Sequence, residues 1–127
     1  MKVKQVILMR TDLNMRKGKM IAQGAHASMK ILLDKMSKIN NDNWTLELDE
    51  NISEWLNGLF TKICLQVNSK EELLEIYQKA LDNGFPASLI IDAGLTEFHG
   101  IPTETCIAIG PAKSEDIDKI TKNLKLL

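Results

Sequence analysis

The chain has 127 residues, 44% hydrophobic and 26% charged, with a formal net charge of −1. This length supports one core, so one domain over residues 1–127 is expected and a second would not fit. No stretch approaches the roughly 20 apolar residues that cross a bilayer, and the N-terminal MKVKQVILMRTD lacks the apolar centre and small-residue cleavage site of a signal peptide. A cytoplasmic protein without a membrane partner is the expectation.

In chain order, residues 4–10 (KQVILMR) read as a nearly continuous apolar strand of the kind covered on both faces. Asp12 or Asn14 is placed to cap a helix running from about Lys17 to Lys38, where Ser37, Asn40, Asn41, Asp42 and Asn43 supply turn chemistry. Residues 40–51 are polar, acidic and without period, which predicts a peripheral loop away from Lys19 and Asp92. A short helix is expected over residues 52–58 and an alternating strand over 60–67. Asn68 or Ser69 then caps a helix with Glu71 and Glu72 in its first turn, ending near Asn83 and closing at Gly84. Strands follow at 87–91 and 103–109, the second ended by Gly110-Pro111, and Ser114 opens a last helix through Ile120. Strands alternating with helices imply an α/β layered sheet, and the irregular residues 92–102 follow a strand end, where such sheets place their sites.

The first long helix carries the strongest chemical signal. At 100° per residue, Lys19, Gln23, His26 and Lys30 share one narrow face, with Ile21, Ala25, Ser28 and Leu32 opposite as the expected core face. Ala22, Gly24 and Ala27 beside the stripe are small enough for another backbone or a ligand to approach closely. Charge is segregated too. The first 38 residues hold nine Lys or Arg against two Asp, a net of +7, and the remainder holds seven against fifteen, a net of −8. Solvated lysines on helix faces would explain this, as would a polyanion held on one part of the surface.

Several chemistries are excluded on mechanical grounds. Gly18-Lys19 is no P-loop, because no glycine lies five residues before Gly18 and Met20 offers no hydroxyl to magnesium. His26 and Ser28 point about 160° apart on a helix, which rules out a local triad. Two histidines and no clustered cysteines argue against zinc, so no metal and no cofactor are expected. Cys64 and Cys106 lie in apolar alternating runs and read as reduced, buried core residues. A cation, an amide and an imidazole on one helix remain, with Asp92, Thr96 and Glu97 after a strand. Those groups suit hydrolysis of an activated ester or acyl bond. Asp92 and Gly94 also have an ordinary explanation as turn residues.

The segments KQVILMRTDL, KGKMIAQGAHA, DAGLTE, TCIAIGPA and NLKLL, in this order and spacing, resemble the archaeal and eukaryotic type of peptidyl-tRNA hydrolase, the type II family. The resemblance covers nearly the whole chain. It implies a three-layer α/β/α fold with a four-stranded mixed sheet, cofactor-free hydrolysis of the ester joining a peptide to tRNA, and a possible homodimer. By the same resemblance Lys19, Asp92 and Thr96 are catalytic, and Gln23 and His26 support or bind substrate. Arg16, Lys17 and Lys30 belong to the basic part and are expected to contact tRNA phosphates. A lysine in water is protonated at neutral pH, so Lys19 is the electrostatic element and Asp92 the better base. A binding module that keeps the fold and contacts RNA or protein without turnover is the alternative.

Overall fold

The computed structural model describes residues 2–127. Ten elements follow in order: β1 (Val3–Arg10), α1 (Lys17–Lys35), β2 (Met36–Asn40), β3 (Asn43–Leu46), α2 (Glu50–Asn57), β4 (Lys62–Val67), α3 (Lys70–Asp82), β5 (Ala87–Asp92), β6 (Thr103–Lys113) and α4 (Ser114–Thr121). The main sheet has the order β4-β1-β6-β5. β1 runs parallel to β4 and antiparallel to β6, and β5 is antiparallel to β6, so the sheet is mixed as expected. Among the described residues no helix is long and apolar enough to cross a membrane.

The period of two in β1 sets the layers. Val6 and Leu8 face a cluster containing Leu73, Ile76 and Ala80 of α3 and Ile117 of α4. Ile7 and Met9 face Ala27 and Ile31 of α1 on the opposite side. Val3, beyond a register shift between Lys4 and Val6, joins Leu32 of α1 with Ile52 and Trp55 of α2. Helices thus cover both faces, giving the α/β/α arrangement.

Four local readings need correction. Arg16, not Asp12 or Asn14, precedes α1 and makes no side-chain cap; Asp12 is instead held by the Arg10 fork at 3.1 and 2.6 Å. α1 ends at Lys35, and the hairpin β2–β3 replaces the expected last turn of the helix and the first part of the expected loop, with Met36 and Leu46 packed on Leu32, Ile52 and Trp55. Tertiary contacts order a segment whose own sequence is too short and polar to signal a strand. β6 runs through Gly110 to Lys113, because a register shift lets Lys4 pair with Ala112 beyond the expected end. Cys64 is exposed while Cys106 is buried: β4 is an edge strand, whereas α1 lies over β6, β5 and β1. Burial pushes the Cys106 thiol up to about 12.

The buried face of α1 also differs from the expected one. Gln23, Gly24, Ala27, Ile31 and Leu32 are buried, whereas Ala25 is exposed and Ile21 is 73% exposed. Small residues turned inward let the helix lie close to the sheet, although a Cβ on Gly24 would make only ordinary contacts with Met9 and Ile7, at 3.7 and 3.8 Å. Polar bonds fix its register. The Ser88 hydroxyl donates to the Ala27 carbonyl at 2.7 Å, and Ser28 donates to the Gln5 side chain, whose amide reaches Gly110.

Candidate active site

Close approach of α1 to β5 and β6 decides which polar groups meet. Lys19 stands in the first turn of α1, and its ammonium donates to Asp92 Oδ1 at 2.9 Å and to Thr96 Oγ1 at 2.8 Å. One turn later Gln23 Nε2 donates to the same Oδ1 at 3.2 Å. Asp92 is the last residue of β5, opposite Thr103 of β6, and its Oδ2 accepts the Gly94 backbone N–H at 2.9 Å. One carboxylate oxygen of Asp92 thus serves the turn and the other meets Lys19 and Gln23. Gly94 has φ +82°, and a Cβ there would collide with the Ile101 backbone, so the turn requires glycine.

A hydrogen bond from Lys19 holds the Asp92 carboxyl below its ordinary value; burial opposes this, and the Gly94 N–H and Gln23 amide assist the lysine. Asp92 is thus a carboxylate at neutral pH. The Phe98 ring centroid lies 5.7 Å from the Lys19 ammonium and walls one side of the pair. An ammonium has three donors, and Asp92 and Thr96 take two. The third is available to an oxygen that gains negative charge.

Sequence reasoning missed the residue that sets the Gln23 amide. Thr105 of β6, buried, donates its hydroxyl to Gln23 Oε1, which obliges Nε2 to face Asp92. A lone threonine in the apolar run TCIAI is the signal that could have found it. Gly94 and Phe98 contribute through loop geometry that no periodicity shows.

The remaining residues fall on either side of this cluster. Arg16 and Lys17 are exposed at the start of α1, whose first turn holds no acidic residue; their charge is unfavourable to the helix dipole and concentrates positive potential there. Arg16 lies 3.7 Å from Glu97. His26 and Lys30 lie further along α1, not in contact with Asp92, and Lys30 is paired with Asp34 at 3.0 Å. Asp12, which spacing and composition without the family resemblance could not rank below Asp92, is engaged by Arg10, whose hydrogen bond lowers its pKa. Among the described residues no group of three or more His, Cys, Asp or Glu is arranged to hold a metal ion.

This constellation invites comparison with known proteins. The family model described as Peptidyl-tRNA hydrolase PTH2 matches residues 3–127. The chain belongs to the peptidyl-tRNA hydrolase PTH2 family. A peptidyl-tRNA hydrolase of Methanocaldococcus jannaschii is 45% identical over 125 residues, covering 98% of this chain and 100% of that protein. One of Sulfolobus acidocaldarius matches to the same extent, 45% over 125 residues. That of Sulfurisphaera tokodaii is 44% identical over 127 residues, the full length of both. Each carries peptidyl-tRNA hydrolase as its name, and as a PTH2 chain this protein is a hydrolase.

Proposed function

We propose that this single-domain chain hydrolyses the ester between a peptide, or an N-blocked amino acid, and tRNA, with Lys19, Asp92 and Thr96 as catalytic residues. The observation that carries this reading is the convergence of ammonium, carboxylate and hydroxyl within hydrogen-bond distance, the first from α1 and the other two from the end of β5 and the loop that follows it. Asp92 Oδ2 accepts a proton from a water that Thr96 orients, and the water oxygen bonds to the ester carbonyl carbon. Lys19 meets the oxyanion with its third N–H. The C–O bond to the terminal ribose then breaks, the ribose oxygen takes the proton from Asp92, and the peptide leaves as a carboxylic acid that loses the second proton of the water to solvent. Gln23 holds Asp92 in place. Arg16 and Lys17 contact tRNA phosphates, while His26 and Lys30 bind substrate on the other side of the cluster.

A non-catalytic RNA-binding module would gain nothing from a largely buried carboxylate beside its phosphate site, since the carboxylate repels the backbone. Action in the cytoplasm and pairing of two copies belong to the same reading; cell fractionation and sedimentation test them. Turnover of N-acetyl-aminoacyl-tRNA by the purified protein is the direct experiment. Release of free tRNA at a rate abolished by Asp92→Ala supports the reading, and no release at any enzyme concentration defeats it.

A further inference from the structure

We infer that the peptide limb of the substrate binds as an added β-strand along the open edge of β5, in the groove between that edge and α1; this rests on the function proposed above. β5 is the last strand of the sheet, and among the described residues no strand pairs with its outer side. Beside it lies a groove of about 420 Å³ lined by His26, Met29, Lys30, Leu33 and Ile90, among others. Its near end adjoins the catalytic cluster. Ile90 lies two residues before Asp92 on one face of β5, and His26 three residues after Gln23 on α1, so the separation is roughly 5–7 Å.

Charge decides between the two limbs of the substrate. Lys30 and Asp34, the charged pair lining the groove, are closed on each other at 3.0 Å, so the groove offers little net field to a polyanion. Met29 and Leu33 make its wall apolar. The basic start of α1, with Arg16 and Lys17, lies at the opposite side of the cluster. An ester held at Lys19 and Asp92 therefore has tRNA on the basic side and peptide on the neutral side. Peptides attached to tRNA vary in sequence, and a binding site indifferent to sequence must read the backbone. An open strand edge does so, with main-chain hydrogen bonds for affinity and a shallow groove for side chains. Because the acyl carbon sits at Asp92, the C-terminal end of β5, the bound peptide runs parallel to that strand.

The test compares N-acetyl-aminoacyl-tRNA with di-, tri- and tetrapeptidyl-tRNA as substrates of the wild-type chain. We expect kcat/KM to rise about tenfold across the series and to level off near four residues, the span of a short strand pairing. N-methylation of alternate peptide amides should remove about fivefold each, the size of one net hydrogen bond; exchanging side chains should matter much less. Met29 and Leu33 are 46% and 42% exposed, so Met29→Glu with Leu33→Glu should fold and reduce the tetrapeptide-to-acetyl ratio to near one. The gain from length should persist at high salt, unlike tRNA affinity. A flat length series on an active enzyme, or equal loss from every N-methyl position, overturns the inference and leaves the proposed function intact. A flat series accompanied by a dimer that Met29→Glu with Leu33→Glu dissociates would assign the edge to a second copy and equally overturn it. No turnover of any substrate overturns both.

Discussion

Two lysine–aspartate pairs lie along α1 at nearly the same distance, 2.9 Å for Lys19–Asp92 and 3.0 Å for Lys30–Asp34. The first joins residues 73 apart in sequence, with side chains 15% and 14% exposed, and adds Thr96, Gln23 and Gly94 as further partners. The second is an i,i+4 contact with side chains 43% and 51% exposed. Water screens the exposed pair, which is worth about 0.3–0.5 kcal/mol. Around Lys19 and Asp92 the field is less screened, and each charge has a second partner that fixes its direction. Distance alone does not separate the two pairs; burial and the number of partners do.

Breaking the buried pair gives the largest expected effect. Lys19→Ala and Asp92→Ala should each lower kcat/KM on N-acetyl-aminoacyl-tRNA at least about a hundredfold with unchanged circular dichroism. Asp34→Ala, the matching cut in the exposed pair, should cost no more than about 0.5 kcal/mol in urea unfolding. A next step sharpens the comparison through a residue that touches neither lysine. Thr105→Val frees the Gln23 amide and leaves Oε1 buried without a donor, so kcat should fall about tenfold and stability by about 1–3 kcal/mol. Thr105→Ser should restore both; a serine variant as slow as valine would refute the positioning role.

Salt separates the two ends of α1. Arg16→Ala with Lys17→Ala should raise KM several-fold and reduce the slope of its salt dependence by up to about 2, one per lost phosphate contact. Adding Lys30→Ala should change the slope little, since Asp34 already holds that charge. A further drop of about 1 would extend the tRNA footprint along the helix.

Acid affects the buried pair by a calculable sign. Asp92 titrates below its ordinary 3.8 because Lys19 donates to it. Its contribution to stability is therefore present above the unfolded pKa and lost as pH falls through the lower folded value. The stability difference between wild type and Asp92→Asn should be constant from about pH 5 to 7 and change only below about pH 4. A change centred near pH 6 would contradict the pairing. The smallest effect is expected at Gly24, whose added Cβ would make ordinary contacts with Met9 and Ile7. Gly24→Ala should raise stability by up to about 1 kcal/mol without altering turnover, as a thermal melt and a rate assay would show.

What was legible in the sequence was local. The apolar run of β1, the Ser69 cap and acidic first turn of α3, and the short strand β5 follow from period, capping and propensity over a few residues. Helical spacing likewise placed Lys19 and Gln23 on one side of α1. The hairpin β2–β3 was not legible, because only the packing of Met36 and Leu46 on α2 gives its polar residues a reason to pair. Nor was the inward face of α1: hydrophobicity favours Ile21, but Gly24 and Ala27 permit the closer contact that buries more of the sheet.

By itself the sequence determined the α/β class, the basic, small-residue helix and, through its motifs, the family. Tertiary structure decided which carboxylate meets Lys19. Asp12 and Asp92 are alike as residues, yet β1 sets the Arg10 fork against one while the end of β5 carries the other to Lys19 and Gln23. The physical reason is that a side chain's charge state and partners depend on groups distant in sequence, which only the register of the sheet and the seating of α1 bring within hydrogen-bond range.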